Sequence, residues 1–348
     1  MRRIIAKLLA VATLAGSAAG LTGGTALADP PPPLVPNPQD IVGVGSHTTG
    51  PLFNQFSTDY NAALASAGDT TSPRLYSFDA TGPSPITLKQ GAPQIGRPID
   101  VGTGLGAQHV WPSAIDFVRS DRGPQAGDLP SDLFVAFAKD AVSWAAQAGG
   151  HAPANLTTAQ LKDIYTCVST KWSDIDATWP NATIKPFLPP PSSGTRAFFL
   201  KALGGGVPLS PGACVVSGPE ENQGTDQALN DQDAVFPYSV GHFIGQAYLG
   251  RGTATDSAGP LTVRNINGII PVTAARTINP SFAATTYGRV LYDVVRDSDW
   301  NATDTHGQAL RKIFGVTGWI CSPAGQADTR SYGFLVLPAG ACGSTIHI

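Results

Sequence analysis

Small polar residues and an arginine stand at the start of a predicted helix in PPPSSGTRAFFLKAL, residues 189–203. The prolines disfavour a helix before Ser192, and the apolar residues after Arg196 favour a short helix that Gly204 ends. The first four amides of a helix lack backbone partners and carry partial positive charge, so this helix start suits an anion. An ordinary Ser or Thr N-cap is the alternative interpretation.

Polar turns also follow two predicted strands earlier in the chain. The strand in QDIVGVGS leads into HTTGPLFNQF, where hydroxyls precede a helix whose first position suits Pro51. The strand in SAIDFV ends in RSDRG. Ligands of α/β sheets bind at the carboxyl ends of strands, where loops enter helices. The three turns at 46–50, 120–123 and 192–196 therefore indicate an anion site.

Predicted strands and helices alternate along the chain, which indicates an α/β protein with a largely parallel or mixed sheet. DLFVAFAKDAVSW is predicted to be a buried strand. NLTTAQLKDIYTC is predicted to be a helix in which Thr157 and Gln160 form a capping box. About 320 residues remain after the predicted export signal, which is more than one core usually holds, so two lobes are expected.

The N-terminus has the pattern of a secretory signal peptide. Positive charge in MRR precedes an apolar run, and Ala26 with Ala28 predicts cleavage after Ala28, so residues 1–28 are the predicted signal. The Pro-rich segment 29–39 is predicted to be an extended, solvated leader. No cysteine lies near the cleavage site. We therefore expect a soluble protein without a lipid anchor, exported to the extracellular, cell-wall or periplasmic space.

Four cysteines in an exported chain favour disulfides. Of the three possible pairings, we favour Cys167–Cys214 and Cys321–Cys342 by proximity in the sequence. The sequence contains neither C-x-x-C nor H-E-x-x-H, so no metal site is expected. Its net charge of −3, with 14% charged residues, gives no basic surface for nucleic acid or membranes.

Five segments, taken in order along the chain, resemble segments of the extracytoplasmic phosphate-binding proteins (PstS type) of ABC importers. GVGSHTTGPLFNQF is similar to the family's first Gly-x-Gly-Ser/Ala turn and helix, and IDFVRSDRGP to its strand that ends in Ser-Asp. PSSGTRAFFLKAL matches the Ser-Gly-Thr helix start. NLTTAQLKDIYTCVSTKWSDI and AVFPYSVGHFIGQAYL resemble later segments. The resemblance covers most of the mature chain through short motifs, as expected of a divergent member.

The resemblance implies a two-lobed, type II periplasmic-binding-protein-like α/β fold, with a ligand cleft between lobes joined by two crossings. On this basis, residues 40–133 and 285–348 form the first lobe, and residues 134–284 form the second. It also implies inorganic phosphate as the ligand and the ABC permease of a phosphate importer as the partner. It implies a monomer without a cofactor, a catalytic residue or a nucleic-acid partner.

The resemblance also assigns a ligand set. The residues that it places against phosphate are His47, Thr48, Thr103, Gly104, Asp121, Arg122, Ser193, Gly194, Thr195 and Arg196. Hydroxyls and helix amides would donate to the anion, and Asp121 would accept the P–OH proton, which sulfate lacks. Family members often carry an arginine where Pro189 stands, so Arg196, Arg122 or Arg97 is expected to supply the charge. A threonine is usual at the position of His47.

Other functions stay open at this point. The chain could bind another oxyanion or a small polar ligand, or act as a carbohydrate-binding or adhesion module. An exported serine hydrolase or phosphatase would need G-x-S-x-G. The nearest match is PYSVG at 237–241, where Pro237 replaces the first glycine and Asp233 and His242 lie nearby in sequence.

Overall fold

The computed structural model describes residues 29–31 and 33–348, so the predicted signal peptide lies outside the described residues. The strands are β1 (Ile41–Gly45), β2 (Leu75–Ser77), β3 (Ile86–Thr87), β4 (Gln94–Ile95), β5 (Phe117–Ser120), β6 (Asp132–Gln147), β7 (Asn155–Leu156), β8 (Lys185–Leu188), β9 (Val216–Ser217), β10 (Ala234–Ser239), β11 (Leu261–Val263), β12 (Asn265–Ile266), β13 (Gly288–Arg296), β14 (Leu335–Val336) and β15 (Thr345–Ile346).

Helices alternate with these strands. They are α1 (Gly50–Ser66), α2 (Val101–Val110), α3 (Thr158–Tyr165), α4 (Trp172–Ile175), α5 (Gly194–Leu203), α6 (Val240–Tyr248), α7 (Pro280–Ala283), α8 (Asp297–Asn301), α9 (Thr305–Phe314) and α10 (Pro323–Ser331). Short 3₁₀ turns occupy His47–Thr49 and Gln227–Leu229. In the described part of the chain, no helix is both long and apolar enough to cross a membrane.

One mixed sheet runs through the molecule in the order β2-β1-β5-β13-β6-β10-β8-β9. Strand β1 is parallel to β2 and β5, and β10 is parallel to β8. Strands β13 and β6 form the antiparallel centre between these two parallel groups. The sheet is thus mixed, as the alternation of predicted elements indicated.

The long strand β6 links the two halves of this sheet. Its residues 132–141 pair with β13, whereas residues 142–145 pair with β10. The boundary predicted between residues 133 and 134 therefore lies within a continuous strand. Across β13 and β6, Arg289 stands opposite Asp140, close to the point where β6 changes partners.

Apolar side chains alternate between the two faces of the first half-sheet, as strands covered on both faces require. In β6, Leu133, Val135 and Phe137 face a core shared with α1 and α9, while Phe134 faces a second core shared with α2. A separate core around Trp144 fills the second half of the molecule. The carboxyl ends of β1 and β5 meet the start of α5 between these cores.

Local predictions based on turn chemistry agree with the structure in most segments. The capping box of Thr157 and Gln160 begins α3, and Ser193 caps α5, which Gly204 ends. The predicted ligand residues Thr103 and Gly104 lie within helix α2, in the segment RPIDVGTGLGAQ, and not in a turn. Asp100 caps that helix, and the small Gly104 is buried on its inner side.

Both predicted disulfides are confirmed. Cys167 bonds to Cys214 and Cys321 bonds to Cys342, and no free cysteine remains in the described chain. The described residues of the Pro-rich leader, 29–31 and 33–39, are largely exposed, and Asp29 anchors the leader to the first half of the molecule by pairing with Arg97.

Candidate functional site

Two strand ends and one helix start meet in a buried polar cluster. Thr48 lies in the 3₁₀ turn after β1, and Asp121 directly follows β5. Because β1 and β5 are parallel neighbours, both residues leave the same edge of the sheet. Thr195, in the first turn of α5, places its hydroxyl 2.8 Å from Asp121 Oδ2 and 3.3 Å from the Thr48 hydroxyl.

Asp121 is the fixed acceptor of this cluster. Its Oδ2 accepts hydrogen bonds from Thr48 Oγ1 at 3.2 Å, from Thr195 Oγ1 and from an Arg289 amino group at 2.8 Å. Its Oδ1 is buried without a hydrogen-bond partner. This oxygen lies beside Gly194, where a Cβ would come within 1.8 Å of it, so only glycine permits this approach. Asp121 therefore keeps one free acceptor oxygen at the start of α5.

Arg289 supplies the positive charge of the cluster from strand β13. One amino group donates to Asp121 Oδ2 and, at 3.1 Å, to the Thr195 hydroxyl. The other amino group and Nε donate to Asp140 Oδ2 at 2.8 and 3.0 Å. Burial alone would lower the pKa of Arg289, but the carboxylates of Asp121 and Asp140 raise it. Arg289 therefore stays charged and is held in one orientation.

A second carboxylate, that of Glu221, lies directly on the donors of the helix start. Its Oε1 accepts from the Ser193 hydroxyl and, at 3.4 Å, from the Thr195 backbone N–H. Its Oε2 accepts from the Thr48 and Thr195 hydroxyls at 2.9 and 3.2 Å. The side chain is buried, and burial together with the nearby Asp121 raises the pKa of Glu221 to about 8.

The backbone next to Glu221 is held by Asn222, which adopts a left-handed conformation with φ of 59°. The Asn222 amide donates to Thr48 Oγ1 at 3.0 Å, and its side-chain oxygen accepts from the Ser239 N–H at 3.1 Å. The backbone oxygen of Asn222 accepts from Tyr238 and Gln246. The chain position of Glu221 is therefore fixed, while its side chain forms the contacts at α5.

An open cavity of about 430 Å³ adjoins the cluster, and Glu221 is part of its wall. Its charged and titratable lining residues come from both halves of the chain and are Asp29, His47, Asp79, Arg97, Glu221 and Asp256. Burial and the nearby Arg119 lower the pKa of His47 to about 4, so His47 is neutral near pH 7. Burial raises the pKa of Asp79 to about 6.

The arrangement combines hydroxyl and amide donors, one guanidinium and one free carboxylate oxygen in a space closed to water. Thr48, Asp121 and Thr195 are 0% exposed, and Ser193 is 2% exposed. Hydrogen bonds to a charged group are stronger in such a setting than in water. The cluster can therefore hold a small protonated oxyanion, provided that the Glu221 carboxylate leaves.

A family model described as the PBP superfamily domain matches residues 37–288. This range covers well over half of the chain. The chain belongs to this superfamily. No curated protein matches it in sequence.

Solved structures show the same fold as this superfamily member. A putative phosphate ABC transporter substrate-binding protein from Clostridium perfringens, with bound phosphate, is 14% identical with a TM-score of 0.60; the match covers 86% of this chain and 100% of that one. An ABC-type phosphate transport receptor from Vibrio cholerae is 14% identical with a TM-score of 0.56, over 86% and 100% of the two chains. A phosphate-binding protein from Stenotrophomonas maltophilia is 14% identical with a TM-score of 0.52, over 87% and 91%. The predicted two-lobed fold is confirmed.

Of the residues predicted to bind phosphate, five meet in the cluster. They are Thr48, Asp121, Ser193, Gly194 and Thr195. His47 lies next to them in the wall of the cavity, with a buried Nε2 that makes no hydrogen bond.

The other predicted residues are engaged elsewhere. The Thr103 hydroxyl is bound within the capping box of Asp100, and Gly104 packs against Val118. Arg122 makes a two-pronged ion pair with Asp128. Arg196 donates to the Pro189 backbone oxygen and to Ser217. Since Arg97 pairs with Asp29, none of the three arginines expected to supply charge reaches Asp121.

Arg289 and Glu221 were missed from the sequence. A charged residue within the apolar strand segment GRVLYDVV is unusual, and this pattern could have drawn attention to Arg289. Glu221 lies in the loop segment GPEENQG, and no local pattern links it to a helix that begins 27 residues earlier. Only the tertiary fold brings these two side chains to α5.

The residues of the hydrolase alternative do not assemble a nucleophile and base. The Ser239 hydroxyl donates to Asp140 at 2.8 Å and accepts from the His242 backbone N–H as the cap of α6. The His242 ring instead contacts the Thr48 carbonyl and Asp256, at 2.8 and 2.7 Å. Asp233 lies near Trp172 and His151, away from His242. The segment 237–241 thus serves as a helix cap.

Proposed function

We propose that this superfamily member is an exported solute-binding protein that holds inorganic phosphate at the Thr48–Asp121–Thr195 cluster. One observation carries the proposal: donors from both halves of the molecule converge with Arg289 on a buried space that already holds the carboxyl group of Glu221. A carboxylate and phosphate share the need for such donors. The names of the similar solved structures, which describe phosphate binding and ABC transport, support the same class of ligand.

The acceptor at this site favours a protonated anion. Near neutral pH phosphate carries at least one proton, and that proton can be donated to the free Oδ1 of Asp121. Sulfate carries none, so the same oxygen repels it. The Ser193 and Thr195 groups and Arg289 would then bind the remaining oxygens. This division of donors and one acceptor suits phosphate or arsenate better than sulfate.

The cellular role follows from the same proposal. Two disulfides suit an oxidising compartment outside the cytoplasm, in line with the predicted signal peptide. We infer that the chain works there as a monomer, without a lipid anchor or catalytic turnover. It delivers phosphate to the permease of an ABC importer.

Calorimetric titration of residues 29–348 with phosphate, arsenate, sulfate and a panel of sugars tests the proposal. We expect saturable binding of phosphate and arsenate, much weaker binding of sulfate and no binding of sugars. The absence of phosphate binding, both in this protein and in variants of Glu221, would refute the proposed ligand. Hydrolysis of phosphate esters that is lost on replacing Ser239 would instead support the enzyme alternative.

A further inference from the structure

The Glu221 carboxylate occupies the place that an anion would take at the start of α5. It accepts from the Ser193 hydroxyl, the Thr195 amide and hydroxyl, and the Thr48 hydroxyl. These are hydroxyl and helix-start donors of the kind that bind anions in helical sites. Two carboxylate oxygens therefore satisfy the donors that two oxygens of a tetrahedral anion would satisfy.

The surroundings of Glu221 differ from those of a structural ion pair. In the described residues, Arg289 forms its ion pairs with Asp121 and Asp140 and none with Glu221. The Thr48 and Thr195 hydroxyls stand between the carboxylates of Asp121 and Glu221, and each hydroxyl has only one proton to donate. Two carboxyl groups thus compete for the same donors, and the one that forms no ion pair with Arg289 is held less firmly.

The Glu221 side chain also has space to move. It lies in the wall of the open cavity of about 430 Å³. The neighbouring Asn222 is fixed by hydrogen bonds to Thr48, Ser239, Tyr238 and Gln246. Rotation of the Glu221 side chain into the cavity can therefore free the hydrogen-bond donors at the start of α5 without moving the backbone of its loop.

We propose that Glu221 is an internal ligand of the anion site, and that phosphate binds only when it displaces the Glu221 carboxylate toward the cavity. The inference rests on the proposed function. Asp121, held by Arg289, stays in place and meets the bound anion. Glu221 leaves, so it sets the affinity of the site without contributing a contact to the complex.

The expected consequence is a measurable loss of apparent affinity in the wild-type protein. The apparent dissociation constant rises in inverse proportion to the fraction of molecules whose site is free. If Glu221 occupies the donors in about nine molecules of ten, its removal tightens phosphate binding about tenfold. A residue that contacts phosphate would have the opposite effect when truncated.

Calorimetric titration with inorganic phosphate at pH 6 tests the inference in the wild type, Glu221→Ala and Glu221→Gln. The matched control is Glu220→Gln, since Glu220 is the adjacent carboxylate and contacts His47 outside the cluster, at 3.6 Å. We expect Glu221→Ala to bind phosphate about tenfold or more tightly than the wild type. Glu221→Gln should also bind more tightly, because its NH₂ group cannot accept the hydrogen bonds that one carboxyl oxygen of Glu221 accepts. Glu220→Gln should match the wild type.

The outcomes separate this inference from the proposed function. If the wild type binds phosphate and both Glu221 variants bind it equally or more weakly, the internal-ligand inference is wrong and the phosphate site stands. If no variant binds phosphate, the proposed function fails. Should Glu221→Ala not fold, the direction of the change in Glu221→Gln, which keeps the shape of the side chain, decides the question.

Discussion

Helices α2 and α5 begin with similar chemistry but differ in how their first amides are satisfied. At α2, Asp100 accepts from the Thr103 N–H at 3.3 Å while the Thr103 hydroxyl accepts from the Asp100 N–H. At α5, Ser193 caps the helix, and the remaining donors of Ser193 and Thr195 reach the carboxylate of Glu221. One helix start is closed by a carboxylate next to it in sequence, and the other by a carboxylate from a distant loop.

This difference explains why only one of the two helix starts can serve as an anion site. The capping box of α2 is part of the helix itself, so an external anion would have to break the cap. The carboxylate at α5 is attached through a side chain that borders a cavity. The donors at α5 become available to an anion when the Glu221 side chain moves away. The donors at α2 stay bound within the capping box of that helix.

The largest effect is expected from Gly194→Ala at α5, compared with Gly106→Ala at α2. A Cβ at position 194 would lie 1.8 Å from Asp121 Oδ1, whereas a Cβ at position 106 meets nothing within 4 Å. Gly194→Ala should abolish phosphate binding and lower the free energy of unfolding by roughly 1–3 kcal/mol through overpacking. Gly106→Ala should leave binding unchanged and stabilise the protein by roughly 0.5–1 kcal/mol.

Calorimetry and urea unfolding of the two glycine variants measure these effects. Equal phosphate affinity in Gly194→Ala and the wild type would show that the close approach of Asp121 to α5 has no part in binding.

The next largest effect is expected from Thr195→Val, compared with Thr103→Val. Each donor lost from a buried charged contact costs about 1.5–3 kcal/mol, and every ~1.4 kcal/mol changes affinity tenfold. Thr195→Val should therefore weaken phosphate and sulfate together, by roughly tenfold or more. The loss should be larger in a Glu221→Ala background, where no internal carboxylate competes for the same donors.

Thr103→Val removes a group of the α2 cap, so it should lower stability by about 1 kcal/mol and leave phosphate affinity unchanged. Titration and unfolding of both threonine variants provide the measurement. A similar loss of affinity in Thr103→Val would place α2 in the site after all.

The sequence predicts the start of α5 but not that of α2, and it does not show which group satisfies the first amides of either helix. The hydroxyls and glycines of 100–104 and 192–196 look alike, and only the structure shows that Asp100 caps α2. The strands, the α3 capping box and the Ser193 cap follow from local patterns and could be predicted. Arg289 and Glu221 act across the sheet and from a loop, and such contacts depend on the whole fold.

A smaller effect is expected from pH. The pKa of Glu221 is raised to about 8 while it occupies the donors, whereas a displaced, solvated glutamate titrates near 4.5. The internal contact therefore has its full stability below about pH 4.5 and loses it as the pH rises toward 8. The resulting gain in phosphate affinity cannot exceed the gain of about tenfold expected when Glu221 is removed. Phosphate affinity of the wild type relative to Glu221→Gln should rise over this range.

The ratio to Glu221→Gln removes the titration of phosphate and of the other groups that face Glu221. These groups are Asp121, Arg289, His47, Asp79 and Asp256, all present in both proteins. Titrations at several pH values from 5 to 8 give the ratio. A ratio that stays constant, or falls with rising pH, would contradict the displacement of a protonated Glu221.

The phosphate-to-sulfate affinity ratio, measured in the wild type and in Asp121→Asn, tests most directly whether the start of α5 is a phosphate site. Asp121 keeps one unpartnered oxygen beside Gly194, and this oxygen can accept the proton of phosphate and repel sulfate. The expected result is a ratio that falls in Asp121→Asn because sulfate gains relative to phosphate once the repulsion is gone. An unchanged ratio would remove Asp121 from the site and contradict phosphate as its ligand.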